Sequence, residues 1–406
     1  MKKIIFFFII IFILYSCKKT NKTEINFAYY DTNKASLFIK NKVDEYNKNN
    51  PEIKIIGNKL PYDEFIAGFK KGRIKPDLVR YSSNFLEELA DKKIIAGLND
   101  YFDSSFFDLF KQEALSTVTY KKKIFGIPDN FGNHLLVFYN KKLISEIPET
   151  SDELLKILEK KLRYRNDIKG LVFNQNDLDI VFPFFYGFKF DTQLDNENIE
   201  LEKSEILNTL DFIYNLKFKY NLLSENCNYK KAEELFKSGK AVIIIDGFWS
   251  FNDYKKNLSK DLGVSDFPII SFSGKKPVFW SSTNSYAVIK KRINTKEKEV
   301  AAFIKYMTSV KIQEEWLNLN RLPSANAQII IDKVNKYPLL NESYQILLKT
   351  KTKPSNRKIN LIAKAIRPHL NAMMEGRISP DAASYAIENY YQELKKSNIK
   401  AKNAKK

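Results

Sequence analysis

The sequence predicts an α/β protein built as two α/β lobes with a ligand cleft between them. Three observations carry this. The chain has 406 residues, 44% hydrophobic and 28% charged, which is ordinary for a globular protein and enough for two separate cores. Strand-like and helix-like stretches alternate at the spacing of strand–helix–strand units, once before about residue 131 and again after about 136. Between the two sets lies GIPDNFGNHLLVFYN (126–140), a largely extended segment with none of the Pro/Gly/Ser character of a loose linker. Lobes joined by extended crossings imply a hinged clamp.

The first sixteen residues set the compartment. Lys2 and Lys3 precede an apolar run, Ile4 to Leu14, which is too short to span a bilayer and suits a secretory signal. The run ends in Leu14-Tyr15-Ser16-Cys17, which resembles a bacterial lipobox. That resemblance implies removal of residues 1–16 and lipidation of Cys17, so that the lipid bilayer is a partner and residues 17–24 are a polar tether. Cys227 is the only other cysteine and is then left without a disulfide partner.

The first lobe is expected to comprise 25–131 with 285–335. INFAYY (25–30) reads as a buried strand. Residues 34–49 read as an amphipathic helix on Ala35, Phe38, Ile39, Val43 and Tyr46, stopped by Asn49-Asn50-Pro51. IKII (53–56) reads as a strand, YDEFIAGFKKG (62–72) as a short helix, DLVRYS (77–82) as a strand and NFLEELADKK as a helix, giving an open, mostly parallel sheet. The second lobe is expected to comprise 136–280 with 338–396. It starts with a helix at 151–161 capped by Ser151, then a strand at 170–174 and helices at 204–220 and 229–238, the latter ended by Gly239. AVIII (241–245) is a strand expected to stop at a turn, Asp246-Gly247, that displays Phe248 and Trp249. Helices are expected at 296–309, 311–319, 341–350, 359–375 and 380–396, the last opened by Ser379 with Pro380 at its first position, leaving 397–406 as a frayed basic tail. Further crossings are expected near 278–286 and 336–338.

The formal charge is +19, yet the lysines are dispersed and no basic motif interleaved with aromatics appears. Solvated lysine faces account for it, and no nucleic-acid partner is expected. His134 and His369 are the only histidines, and neither sits in a metal or triad pattern. Asp177 and Asp179 have no further feature of a hydrolase site. No catalytic residue, metal or cofactor is expected.

The order of several pieces resembles the extracellular solute-binding proteins of ABC importers, in the cluster typified by maltose-binding proteins. The pieces are PDLVRYSSNFLEELA, GIP with LLVFYNKKLI, the strand SYAVIKK before EVAAFIKYMTS, and above all Phe236-Lys237-Ser238-Gly239-Lys240-Ala241 followed by Asp246-Gly247-Phe248-Trp249. The resemblance implies a periplasmic-binding-protein-like fold. It also implies a monomeric, extracytoplasmic receptor that binds a carbohydrate or a similar small polar solute and delivers it to ABC permease subunits. Other solutes within the same clamp are a sugar phosphate, a peptide or a polyamine, and a basic surface adhesin is a remoter reading. Carried over position by position, Trp249 matches the family's stacking Trp, while Phe248 is expected to pack. Asp31 matches a sugar-binding Asp, and Tyr81 falls where a stacking Trp stands. Asn84 replaces an Asp and Asn133 a Glu; Asp177 matches a Glu. Trp280, beside the second crossing, is a further cleft candidate. Asp179 and Ala363 stand where two more aromatic platforms are expected. The resemblance therefore implies a site unlike that for a long maltodextrin, less acidic and suited to a shorter, different or partly anionic ligand.

Overall fold

A computed structural model describes residues 22–61, 64–65, 67–68, 73–188, 201–290, 292, 295–320, 324–327, 329, 337–352 and 357–403. Cys17, the signal segment, most of the helix expected at 62–72 and Lys336 of the third crossing lie outside them. In chain order the strands are β1 (Thr23–Tyr29), β2 (Ile53–Lys59), β3 (Leu78–Ser82), β4 (Thr119–Tyr120), β5 (Lys123–Ile124), β6 (Ile127–Gly132), β7 (Leu135–Asn140), β8 (Lys169–Val172), β9 (Ala241–Gly247), β10 (Leu262–Ser265), β11 (Trp280–Val288) and β12 (Lys351–Thr352).

One sheet has the order β12-β11-β3-β1-β2, with β6 paired to β11; the other has the order β10-β7-β9-β8. β4 and β5 form a separate hairpin. The parallel core of the first sheet is β2-β1-β3. Its helix Asn33–Asn49 opens at Thr32, whose hydroxyl accepts a hydrogen bond from Ala35 N, and buries Ala35, Ile39, Val43 and Tyr46 on one stripe. In the second sheet only β8 and β9 run parallel; β7 is antiparallel to both β9 and β10. Both sheets are thus more mixed than the strand–helix rhythm predicts. The reason lies in the crossings. β6 leaves the first sheet at its carboxyl end, β7 enters the second beside the carboxyl end of β9, and β11 starts beside the carboxyl end of β3. A strand that enters at that end must run antiparallel to its neighbour.

β7 shows how the second sheet serves two cores. Leu136 and Phe138 face one hydrophobic cluster while Leu135, Val137 and Tyr139 face the other, as a period of two requires. A strand buried on both faces reads as a continuous apolar run, and so do β7 and β9.

Several boundaries differ from expectation. The helix Ser151–Leu162 is capped by Thr150, not Ser151: Thr150 and Glu153 form a reciprocal capping box. β9 continues through Asp246 and Gly247, because Leu136 and Leu135 pair with them, so the turn begins at Phe248. LDIVFPFFYG forms a helix, Leu178–Gly187, whose uniformly apolar surface hides its period. The helix expected at 341–350 lies three residues earlier, at Pro338–Leu347, with Pro338 in its first turn. The final helix, opened by Ser379, runs from Pro380 to Asn403, past the point where fraying was expected.

Candidate functional site

Ligands of open α/β sheets bind beyond the carboxyl ends of the strands. Here those ends of both sheets face one cleft of about 880 Å³. Tyr30 and Asp31 follow β1, Lys59 to Pro61 end β2 and follow it, and Ser82 and Asn84 end β3 and follow it. The crossings supply Asn130, Asn133, Leu135, Ser281, Ser282 and Asn284. The second lobe supplies Asp177, Asp179 and Trp249, and Trp280 lies at the junction.

Trp249 is 43% exposed and sits in the turn Phe248–Ser250 after β9. Its indole lies against the backbone of Gly247: a Cβ on Gly247 would stand 2.1 Å from the ring. Its Nε1 donates to the Tyr229 hydroxyl at 3.0 Å, and that hydroxyl also bonds Ser250 Oγ at 3.1 Å. One ring face is therefore backed by backbone and the edge is tethered. Phe248 packs, as expected, stacked between His134 (5.5 Å between centroids) and Phe251 (4.9 Å).

Behind this turn lies a buried acid. Asp246 Oδ1 accepts from Gly247 N at 2.7 Å, and Oδ2 accepts from the Tyr254 hydroxyl. Burial pushes its carboxyl up to about 6, against the opposing bonds from Tyr254, Ser250 and Gly247 N. His134, between β6 and β7, is buried too. Its Nε2 meets Ser343 Oγ at 3.1 Å, and burial pushes it down to about 3, so it is neutral near pH 7.

Asp31 is held on one side. Its Oδ2 accepts from Arg80 Nη1 at 2.6 Å and its Oδ1 from Thr32 N at 2.8 Å. Asn133 has φ +50°, a left-handed conformation that Asn tolerates, and its Nδ2 donates to Ser282 Oγ at 2.7 Å, which ties two crossings together. Asp177 and Asp179 do not lie in a plain loop: Asp177 caps the helix Leu178–Gly187 by accepting from Asp179 N at 2.9 Å.

Two expected platforms are not offered as flat faces. Tyr81 does not line the cleft. It is 1% exposed within the first-lobe core, because strand alternation points it opposite to Ser82, which does line it. Trp280 reaches the cleft wall but is 5% exposed, packed 5.2 Å from Phe182 and 6.2 Å from Tyr186 between centroids. Ala363 packs on the second-lobe core. Asp31, Asp177 and Asp179 stand against Lys59, the one cation among the described lining residues. Among the described residues no cluster of three His, Cys, Asp or Glu could hold a metal ion, and no helix is long and apolar enough to cross a membrane.

A model of the bacterial extracellular solute-binding protein family matches residues 42–342. The chain belongs to that family. It is 21% identical over 328 residues to a maltotriose-binding protein of Pyrococcus abyssi, covering 79% of this chain and 70% of that one. Its fold is similar to the maltose/maltodextrin-binding domain of Bdellovibrio bacteriovorus bound to maltotriose, with a TM-score of 0.79, 25% identity, and 92% and 100% of the two chains covered. It is also similar to the maltotriose-binding protein of Thermus thermophilus, with a TM-score of 0.76, 19% identity, and 92% and 99% covered. The two-lobed periplasmic-binding-protein fold and an extracytoplasmic location follow.

In this solute-binding protein the residues that sequence reading missed are Tyr30, Thr32, Lys59, Leu60, Pro61, Ser82, Asn130, Leu135, Ser281, Ser282 and Asn284. A usable signal existed for some. Lys59 to Pro61 ends the second strand of a parallel set, so the strand-end rule that found Trp249 also points there. The crossing residues carry no such mark, because their place depends on the pairing of β6 with β11.

Proposed function

We propose that this solute-binding protein is a lipid-anchored receptor that captures a short neutral oligosaccharide of the malto-oligosaccharide class and delivers it to an ABC permease. The observation that carries this reading is Trp249. A half-exposed indole, backed by Gly247 and tethered by Tyr229, shares the cleft with carboxylates and amides. A flat apolar face suits the C–H face of a pyranose, and carboxylates and amides accept its hydroxyl protons. The names of the relatives support the sugar class. The platforms missing at Tyr81, Asp179 and Ala363 favour a short ligand.

Lining charge weighs against the anionic alternative. Among the described lining residues three carboxylates, Asp31, Asp177 and Asp179, stand with one cation, Lys59, and Arg80 beside Asp31 is itself matched by Asp129. A sugar phosphate would meet more carboxylates than cations among the described lining residues, a mismatch that a neutral polyol does not face. The same surplus is the specific observation that favours a second reading, a cationic polyamine. Asp177, bound up as a helix cap, supports a binding rather than a hydrolytic role.

Thermal unfolding in the presence of maltose, maltotriose, glucose 6-phosphate and spermidine separates these readings. A ligand that binds only the native state stabilises it by mass action, by about 2.7 kcal/mol at a hundredfold excess over Kd, and so raises the midpoint. A shift with maltotriose supports the proposal. A shift with spermidine alone replaces it with the polyamine reading.

A further inference from the structure

The strand β3, LVRYS, is buried at all five positions, and an arginine stands at its centre. Arg80 is 1% exposed. A charge so placed must be balanced, and the balance here is unequal. Arg80 Nε donates to Asp129 Oδ2 at 2.6 Å, and Nη1 donates to Asp31 Oδ2 at 2.6 Å. One carboxylate would neutralise the guanidinium. The second is the one that lines the cleft.

The inner half of the cluster is bonded through Nε, while Nη2 is buried without a hydrogen-bond partner among the described residues. Asp129 Oδ1 accepts from Gln313 Nε2 at 2.6 Å, Gln313 Oε1 accepts from Ser324 Oγ at 2.7 Å, and the guanidinium carbon lies 5.2 Å from the centre of the Trp316 ring. Burial disfavours the Arg80 charge, but Asp129 and Asp31 outweigh it and fix the guanidinium charged. Arg80 is thus held from behind by Asp129, and among the described residues Asp31 is the hydrogen-bond partner of Arg80 that lines the cleft.

We propose that Arg80 is a positioning residue for solute binding: it never meets the solute, and it fixes the Asp31 carboxylate in the orientation that accepts the solute's hydroxyl groups. This inference rests on the sugar-binding reading above. A carboxylate offers about four acceptor positions. Arg80 and Thr32 N take two, one on each oxygen, and leave the others for the cleft. A strand-end Asp without that clamp would sample several rotamers and lose them on binding, which weakens association. Lys in place of Arg80 cannot do the same work, because Arg80 reaches the two carboxylates through two different nitrogens and Lys has one.

The test is a double-mutant cycle on affinity, with maltotriose as the probe, in the folded protein below its unfolding transition. Asp31→Asn should weaken binding about tenfold, and Arg80→Lys about fivefold, roughly the loss of one or two well-placed hydrogen bonds. In the Asp31→Asn background, Arg80→Lys should change affinity less than twofold. An equal loss in both backgrounds, or no loss from Arg80→Lys while Asp31→Asn remains costly, overturns the proposal. A crystal structure of ligand-free Arg80→Gln decides independently of any sugar. Asp31 displaced or spread over rotamers supports the proposal, and Asp31 unmoved overturns it. Wild-type protein that binds no maltotriose, alongside a displaced Asp31 in Arg80→Gln, refutes the sugar reading and leaves the clamp standing.

Discussion

Gly247→Ala should damage binding without replacing any side chain that meets the solute. Gly247 has φ −80° and ψ 152°, an extended conformation open to any residue, so alanine introduces no backbone strain. Its Cβ would stand 2.1 Å from the Trp249 ring, where ordinary contact begins near 3.4 Å. The indole must therefore rise by more than about 1 Å, into the cleft. That stretches the 3.0 Å bond from Nε1 to Tyr229 beyond hydrogen-bond range. Full loss of a cleft tryptophan costs about 2 kcal/mol or more, close to thirtyfold in affinity. A displaced ring keeps its face but loses its place, so about tenfold is expected for Gly247→Ala, against about thirtyfold for Trp249→Ala. Calorimetric titration with maltotriose measures both, and denaturant unfolding checks the fold, which Gly247→Ala should alter by less than about 1 kcal/mol. Affinity within twofold of wild type, with the fold intact, would refute the reasoning: the ring would then have no required position.

The remaining expectations concern pH and the membrane. Asp246 has a folded pKa of about 6, above its unfolded value. Below about pH 4 both states are protonated and it costs nothing; as pH rises through 6 the folded state must ionise a buried acid and loses about 3 kcal/mol. Unfolding midpoints of wild type and Asp246→Asn should therefore diverge in favour of the variant between pH 4 and 6.5. His134 acts with opposite sign: depressed to about 3, its neutral form supports the fold above pH 6.5, and that support is lost on acidification. Because His134 is present in both proteins, the comparison cancels it. At the amino terminus, Cys17→Ala should move the protein from the detergent phase to the aqueous phase; intact mass showing an unmodified Cys17 would exclude the anchor.

Much of the fold was legible because apolar periodicity reports burial directly. β1, β3 and β7 fall where short, largely apolar runs put them, and the helix Asn33–Asn49 where a 3.6-residue stripe does. The helix Leu178–Gly187 escaped for the same reason, since nearly every side chain in it is apolar and no stripe exists. Within the site, Trp249 was legible because strand, glycine and aromatic are contiguous in sequence. Tyr81 was misplaced because position in a strand fixes which end a residue is near, while the pleat fixes which face it takes. Arg80, one residue earlier, takes the face that leads to Asp31. That pair is 49 residues apart in sequence, and nothing local announces it.

The two halves of the cleft are fastened to opposite sides of one turn, and this bears on how a closing motion would run. On the first-lobe side, Asp31 is held by Arg80, and Arg80 by Asp129 of β6. On the second-lobe side, the Trp249 turn is held by Phe248, whose N–H donates to the His134 carbonyl at 3.0 Å and whose ring stacks on the imidazole. Between Asp129 and His134 lies Asn133, left-handed and bonded across to Ser282 of β11. Rotation absorbed at Asn133 would carry Asp31 and Trp249 toward each other as parts of rigid units, which is how hinged domains close. Asn133→Gly keeps the left-handed backbone and removes the side chain that bonds Ser282 and lines the cleft. It should leave the unfolding free energy within about 1 kcal/mol of wild type while shifting the balance between open and closed forms. Solution scattering reads that balance: wild type should contract on saturation with maltotriose, and Asn133→Gly should show a different ligand-free radius and converge on the same bound one. Identical ligand-free radii would place the hinge elsewhere, and no contraction in either protein would mean that the cleft binds without closing.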